Sequence, residues 1–109
     1  MINKIDLLEL MTDIRESELP LEFFDFLDVI DFGTRKYARN DWLRPNGRTI
    51  TEEDMHASML RHLTKSKNSE GKGKEYGQYD HESDLDHLLH LATRALMLYT
   101  LRKRKERNG

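Results

Sequence analysis

Apolar positions are densest between Ser83 and Lys105, inside the longest run of the chain free of glycine and proline. Leu85, Leu88, Leu89, Ala92, Leu96 and Leu101, with the leucines and alanines between them, cover far more than the single stripe of a surface helix. This pattern predicts a central helix packed on several sides. Glu82, Asp86, His87, His90 and Arg94 interrupt the apolar coat at spacings of three and four, which on a helix is one face. The expectation is a titratable seam running along the most buried element, with Asp80 or Ser83 as its N-cap.

Three further helices follow from the same kind of pattern. Residues 3–17 are amphipathic, with Asn3 as the cap and Ile5, Leu8, Met11 and Ile14 on the apolar side. Pro20 opens the next helix, rich in phenylalanine, which is expected to stop at Gly33. Glu22, Asp25 and Asp28 recur along it every three residues; such a row could hold a divalent cation or simply face water. Residues 33–48 combine two glycines, a proline and two asparagines, and read as a loop. Thr51-Glu-Glu-Asp54 is a capping box in its aspartate form, starting a helix expected to reach about Lys65. Residues 66–79 are polar and glycine-bearing without periodicity, and read as a flexible inserted loop. No alternating run is bounded by turns, so no strand is predicted. The fold class expected is all-α: one small four-helix, bundle-like domain over residues 1–109, ending in a basic tail at 103–109.

Composition narrows the partners. With 109 residues, 37% hydrophobic and 35% charged, the chain can bury only a modest core, so a second copy is expected to cover the central helix in a homo-oligomer. A formal net charge of −2 supplies no basic footprint, and nucleic acid is not expected as a partner. The absence of cysteine suits a reducing compartment. No apolar run approaches a membrane span, and the first residues lack a signal peptide's apolar segment, so a cytoplasmic location is expected.

Several chemistries are excluded. There is no nucleophile elbow, no Walker or dinucleotide-type glycine loop, no His-Asp dyad in that order and no HExxH zinc pattern. Two candidate features remain. One is the seam, where Glu82, Asp86 and His90 fall at i, i+4 and i+8, with His87 beside them and Asp80 nearby. Grouped carboxylates are how helical proteins bind Mg²⁺ or Mn²⁺, while the imidazoles could be ligands, hold a water or pair with phosphate. The other is the loop at 33–48, where Arg35, Lys36, Arg39 and Arg44 interleave with Tyr37 and Trp42. Cations beside aromatics suit a ligand with phosphates and a ring; the alternative is that the aromatics close the core and the arginines face water.

The order of short motifs adds a resemblance. A proline-led helix ending in glycine is followed by Lys36-Tyr37, then Asn40-Asp41-Trp42, Arg61-His62-Leu63, Asp80 with Glu82-Ser83, and His87-Leu88-Leu89-His90. From about Leu19 to Leu98 the chain resembles the phage-type dATP/dGTP diphosphohydrolase N-terminal family, small all-α proteins grouped with MazG-like nucleotide pyrophosphohydrolases. The resemblance implies hydrolysis of a purine deoxynucleoside triphosphate to monophosphate and pyrophosphate, dependent on Mg²⁺ or Mn²⁺. It implies catalytic roles for His62, Glu82, His87 and His90. Metal contact would come from Asp80, Glu82 and Asp86. Lys36, Tyr37, Arg39, Asn40, Trp42, Arg61 and Arg94 would bind the nucleotide, a small-molecule partner. The chain departs from the pattern at Asp84 and Asp86, at Arg94 and at Tyr76-Gly77, where a glycine–proline-like stretch, an asparagine and a Gly-Glu pair are expected.

Overall fold

Three α-helices carry the described part of the chain: α1 (Phe26–Lys36), α2 (Glu52–Ser69) and α3 (His87–Asn108). The computed structural model describes residues 21–36, 41–44 and 50–108. Among these no strand forms, and the fold is all-α. The helix expected at 3–17 lies outside the described residues, as do Tyr37, Arg39 and Asn40.

Each helix departs from its expected bounds for a local reason. The chain after Pro20 begins as a 3₁₀ turn, Leu21–Asp25, before α1 takes over. Gly33 does not stop α1, which continues to Lys36. An interior glycine costs only about 1 kcal/mol relative to alanine. Arg35 pairs with Asp31 one turn back at 3.5 Å, and basic residues in the last turn suit the helix dipole. Glu22, Asp25 and Asp28 are exposed, as a solvated face would be.

α2 begins where the capping box predicts. The Thr51 hydroxyl accepts from the Asp54 N–H at 3.0 Å, and the Asp54 carboxylate accepts from the Thr51 N–H at 2.9 Å. The helix outruns Lys65 by a full turn because nothing in Ser66–Ser69 opposes it. Ser69 is buried, its hydroxyl donating to the Ser66 carbonyl at 2.8 Å, and Glu70 then takes up the left-handed conformation that ends the helix.

The rest of the segment expected as a flexible loop is hydrogen-bonded to itself and to α3. The Gln78 side chain accepts from the Gly73 N–H at 2.7 Å and donates to the Asp86 carboxylate at 2.8 Å. Its backbone carbonyl accepts from the His87 N–H at 3.0 Å, and Tyr79 bridges Asp86 in antiparallel fashion.

α3 starts at His87 and not at Ser83. Asp86 is its N-cap: one carboxylate oxygen accepts from the Leu88 N–H at 2.8 Å, and its carbonyl accepts from Leu89 and His90. Glu82 and Asp86 therefore precede the helix, and the seam spaced i, i+4, i+8 does not exist as one helical face.

The core lies where α2 and α3 pack, closed by α1. Met55 is fully buried among Ile50, Met97, Leu98 and Leu101, with Ile30, Trp42 and Met59 against them. Trp42 thus belongs partly to the core. α3 is not enclosed all round by the described residues: Leu88, Leu96 and Tyr99 are 55%, 43% and 59% exposed along one face.

Candidate functional site

Three histidines from two helices meet at the junction of α2 and α3. His62 is buried on α2, and His87 and His90 are buried one turn apart on α3. The Nδ1 atoms of His62 and His87 stand 2.7 Å apart, so one ring donates and the other accepts. The rings of His62 and His90 stack in parallel, 4.6 Å between centroids and 9° between planes. Phe32 of α1 meets the His90 ring edge-on at 6.2 Å.

The turn before α3 brings the acid. Oδ1 of Asp80 accepts from the Glu82 N–H at 2.9 Å, the Ser83 N–H at 3.0 Å and the Ser83 hydroxyl at 3.3 Å. An aspartate gripping the backbone two and three residues on is the usual reason such a residue starts a turn and not a helix. Ser83 also stands 2.7 Å from Nε2 of His90, and its hydroxyl therefore links Asp80 to His90.

Electrostatics keep the histidines neutral. Burial pushes the His62 pKa down from 6.5 to about 4, with His90, His87 and Arg61 acting the same way and Asp80 opposing. His87 and His90 are also lowered, chiefly by burial. For Asp80, burial alone would raise the pKa, but the Ser83 and Glu82 N–H groups and the facing histidines prevail and hold it below the usual value. The site at pH 7 is thus three neutral imidazoles around one carboxylate.

Above this cluster opens a cavity of about 1100 Å³ between α1, α2 and the Asp80–His90 segment. Trp42 forms part of its wall, and Lys36, Arg61, Lys65 and Arg94 bring positive charge to it from three helices. Lys36 is held by Glu82 at 2.9 Å, and this contact lowers the pKa of the Glu82 carboxyl. Arg94 points along α3, one guanidinium nitrogen 3.6 Å from the Met97 sulfur.

Of the residues singled out in the sequence, His62, His90, Asp80, Glu82, Lys36, Trp42, Arg61 and Arg94 line this one cavity, and His87 lies behind its floor against His62. Asp86 is turned into the cap of α3 and the link to Gln78. The bridging role of Ser83 and the approach of Lys65 were not anticipated. Ser83 could have been found from Asp80-His-Glu-Ser, an aspartate three residues before a hydroxyl, which is an Asx-turn signature. Nothing in the sequence couples Lys65 to the site beyond its position one turn after Arg61.

A family profile described as dATP/dGTP diphosphohydrolase, N-terminal, matches residues 7–108. The chain belongs to this family. No curated relative and no solved structure matches it significantly. Diphosphohydrolase chemistry points to a metal cofactor, and the residues of this member can be tested for one. Among the described residues, His62, Asp80 and His87 offer one ligand atom each within 4.8 Å of one another. Two neutral imidazoles and an ionised carboxylate are a donor set that fits a divalent ion. No helix among the described residues is long and apolar enough to cross a membrane.

Proposed function

We propose that this member of the diphosphohydrolase family hydrolyses a purine deoxynucleoside triphosphate, dATP or dGTP, to the monophosphate and pyrophosphate. The observation that carries the reading is the cavity itself. Cations from three helices ring a space of about 1100 Å³ whose floor holds a carboxylate and buried neutral imidazoles. Triphosphate oxygens need several converging donors, and guanidinium and ammonium groups supply them with charge.

In this reading Arg61, Lys65 and Arg94 hold the triphosphate and Trp42 meets the purine. Water attacks the α-phosphorus, and the bond from that phosphorus to the α–β bridging oxygen breaks. Pyrophosphate leaves with the electron pair, stabilised by the same cations. His90 takes the proton of the attacking water, its ring oriented through Ser83 by Asp80. A divalent ion, Mg²⁺ or Mn²⁺ in the first instance, supplies charge neutralisation on the phosphates when bound. Lys36, tied to Glu82 in the free protein, is released to phosphate as substrate enters. The apolar stripe of Leu88, Leu96 and Tyr99 is covered by a second copy in a homo-oligomer.

A second reading is nucleotide sequestration without turnover. It uses the same cations and Trp42 and needs no acid, Glu82 being engaged by Lys36 at 2.9 Å. Incubation with dATP or dGTP and Mg²⁺ or Mn²⁺, followed by ion-exchange chromatography, separates the two. Monophosphate with equimolar pyrophosphate supports hydrolysis. Retained nucleotide that stays a triphosphate with either ion sinks it and leaves sequestration.

A further inference from the structure

We propose that His62, His87 and Asp80 form a mononuclear site for a first-row transition ion of the Mn²⁺ to Zn²⁺ series, one from which Mg²⁺ is excluded. The inference deepens the function proposed above by assigning the resident ion. It rests on that reading for the ion's use but not for its binding.

Mg²⁺ demands oxygen ligands in near-ideal octahedral geometry and gives up its water reluctantly. Imidazole nitrogen suits the borderline ions instead, and two histidines with one carboxylate leaving open positions are a recurring set for them. Here the nitrogens outnumber the carboxylate, and the other acids near the site are engaged. Glu82 faces Lys36 at 2.9 Å, and Asp86 caps α3 and holds Gln78. Among the described residues, a purely oxygen-lined site for Mg²⁺ is therefore missing at the cluster.

Geometry supports the same assignment. A hydrogen bond between the two Nδ1 atoms requires one of them to carry a proton, at a separation of 2.7 Å. With both rings in the Nε2–H tautomer both Nδ1 lone pairs are open to an ion, which takes the place of that single proton. Two nitrogens bound to one ion at about 2.1 Å stand roughly 3.0–3.4 Å apart, so the rings, nearly head-on with centroids 4.9 Å apart, must part by about half an ångström and swing off the N–N line toward the ion. Asp80 is already fixed as an outer partner fixes a ligand: its Oδ1 accepts three hydrogen bonds, none of which uses the other oxygen. All three donors are within 4.8 Å of one another, and both histidines are buried in the α2–α3 junction, 3% and 2% exposed. Mg²⁺ then reaches the cavity only as the companion of the triphosphate.

The test uses metal-free full-length chain and no nucleotide. Co²⁺ is titrated and its visible absorption followed, with Zn²⁺ and Mg²⁺ as competitors and bound metal counted after desalting. One equivalent of Co²⁺ is expected, displaced by Zn²⁺ and unaffected by millimolar Mg²⁺. His87→Gln and Asp80→Asn are expected to weaken Co²⁺ about tenfold or more, whereas Glu82→Gln and Asp86→Asn leave it unchanged. Because a histidine variant could fail to fold, Zn²⁺ is also added to the unaltered protein while the ring nitrogens are followed by ¹⁵N NMR. The Nδ1 resonances of His62 and His87 are expected to shift together at one equivalent. Displacement of Co²⁺ by Mg²⁺, loss of Co²⁺ in Glu82→Gln, or unmoved Nδ1 resonances overturns the site. Ion binding without turnover overturns only the hydrolytic reading; turnover with Mg²⁺ and no Co²⁺ binding overturns only this one.

Discussion

His62 and His87, on two helices and 25 residues apart in sequence, face each other through their Nδ1 atoms at 2.7 Å. Both are buried, and both are held neutral. Folding therefore costs protons in acid. His62 binds a proton near pH 6.5 when unfolded and near pH 4 when folded. Between these values the unfolded chain carries more protons, so stability is full above pH 6.5 and is lost as pH falls toward 4. The slope is at most about 1.4 kcal/mol per pH unit for one histidine. The groups that set it are His90, His87 and Arg61, which depress the pKa with burial, and Asp80, which opposes them. In chelator-treated protein the melting temperature should fall from pH 7.5 to pH 5, and less steeply in His62→Gln. A flat profile would contradict the neutral cluster.

Asp80 and Glu82 are two residues apart yet differ in their surroundings. Asp80→Asn removes the charge that faces the histidines and should reduce turnover of dATP or dGTP on the order of a hundredfold or more. Glu82→Gln releases only an exposed ion pair and should change kcat/KM by less than about fivefold. Steady-state kinetics on the two variants decides between them; the reverse ranking would return Glu82 to the centre of the site.

Asp86 is a cap in this structure. Asp86→Ala should cost about 1 kcal/mol in urea unfolding, and Asp86→Asn, which keeps an accepting oxygen, should cost a few tenths. If Asp86→Asn instead abolishes metal binding while the fold is retained, the cap assignment is incomplete.

Thr51 sits at the start of the helix that carries Arg61 and His62. Thr51→Ala removes one arm of the capping box and should lower stability by about 1 kcal/mol. Turnover at 25 °C should change little, since His62 stands about three turns further along α2. Far-UV circular dichroism melts and a turnover assay read this together.

Leu88, Leu96 and Tyr99 form an exposed stripe along α3. Sedimentation velocity should detect a homo-oligomer, and Leu88→Glu should shift it toward monomer without lowering the helix content. A monomer at every accessible concentration of unaltered protein would remove the oligomeric reading.

Much of the fold was legible because helices announce themselves by period. The capping box at Thr51 fixed the start of α2, and the apolar density after Leu85 marked α3. The ends were harder. Gly33 and the polar run after Lys65 are weak helix breakers, and the neighbouring turns overrode them. The apparent seam failed at Glu82 and Asp86 because period alone cannot tell an aspartate inside a helix from one capping it. Asp80 and Asp86 each hold backbone N–H groups just after them, and that clustering of aspartates was the available sign. Eight candidates from the sequence, among them His62, Asp80 and His90, do line one cavity. The pairing of His62 with His87 could not be foreseen, since it depends on the register of two helices, which neither sequence period carries.

The donors proposed for the ion and the lysine proposed to meet phosphate come from different parts of the chain. His62, Asp80, Ser83, His87 and His90 all belong to one helical hairpin, α2 to α3, with the connection between them. Lys36 and Trp42 come from outside it. Changes around α1 can thus reshape what the cavity accepts while the hairpin keeps its chemistry, so that substrate preference and reactivity are able to evolve on separate pieces of the same small chain.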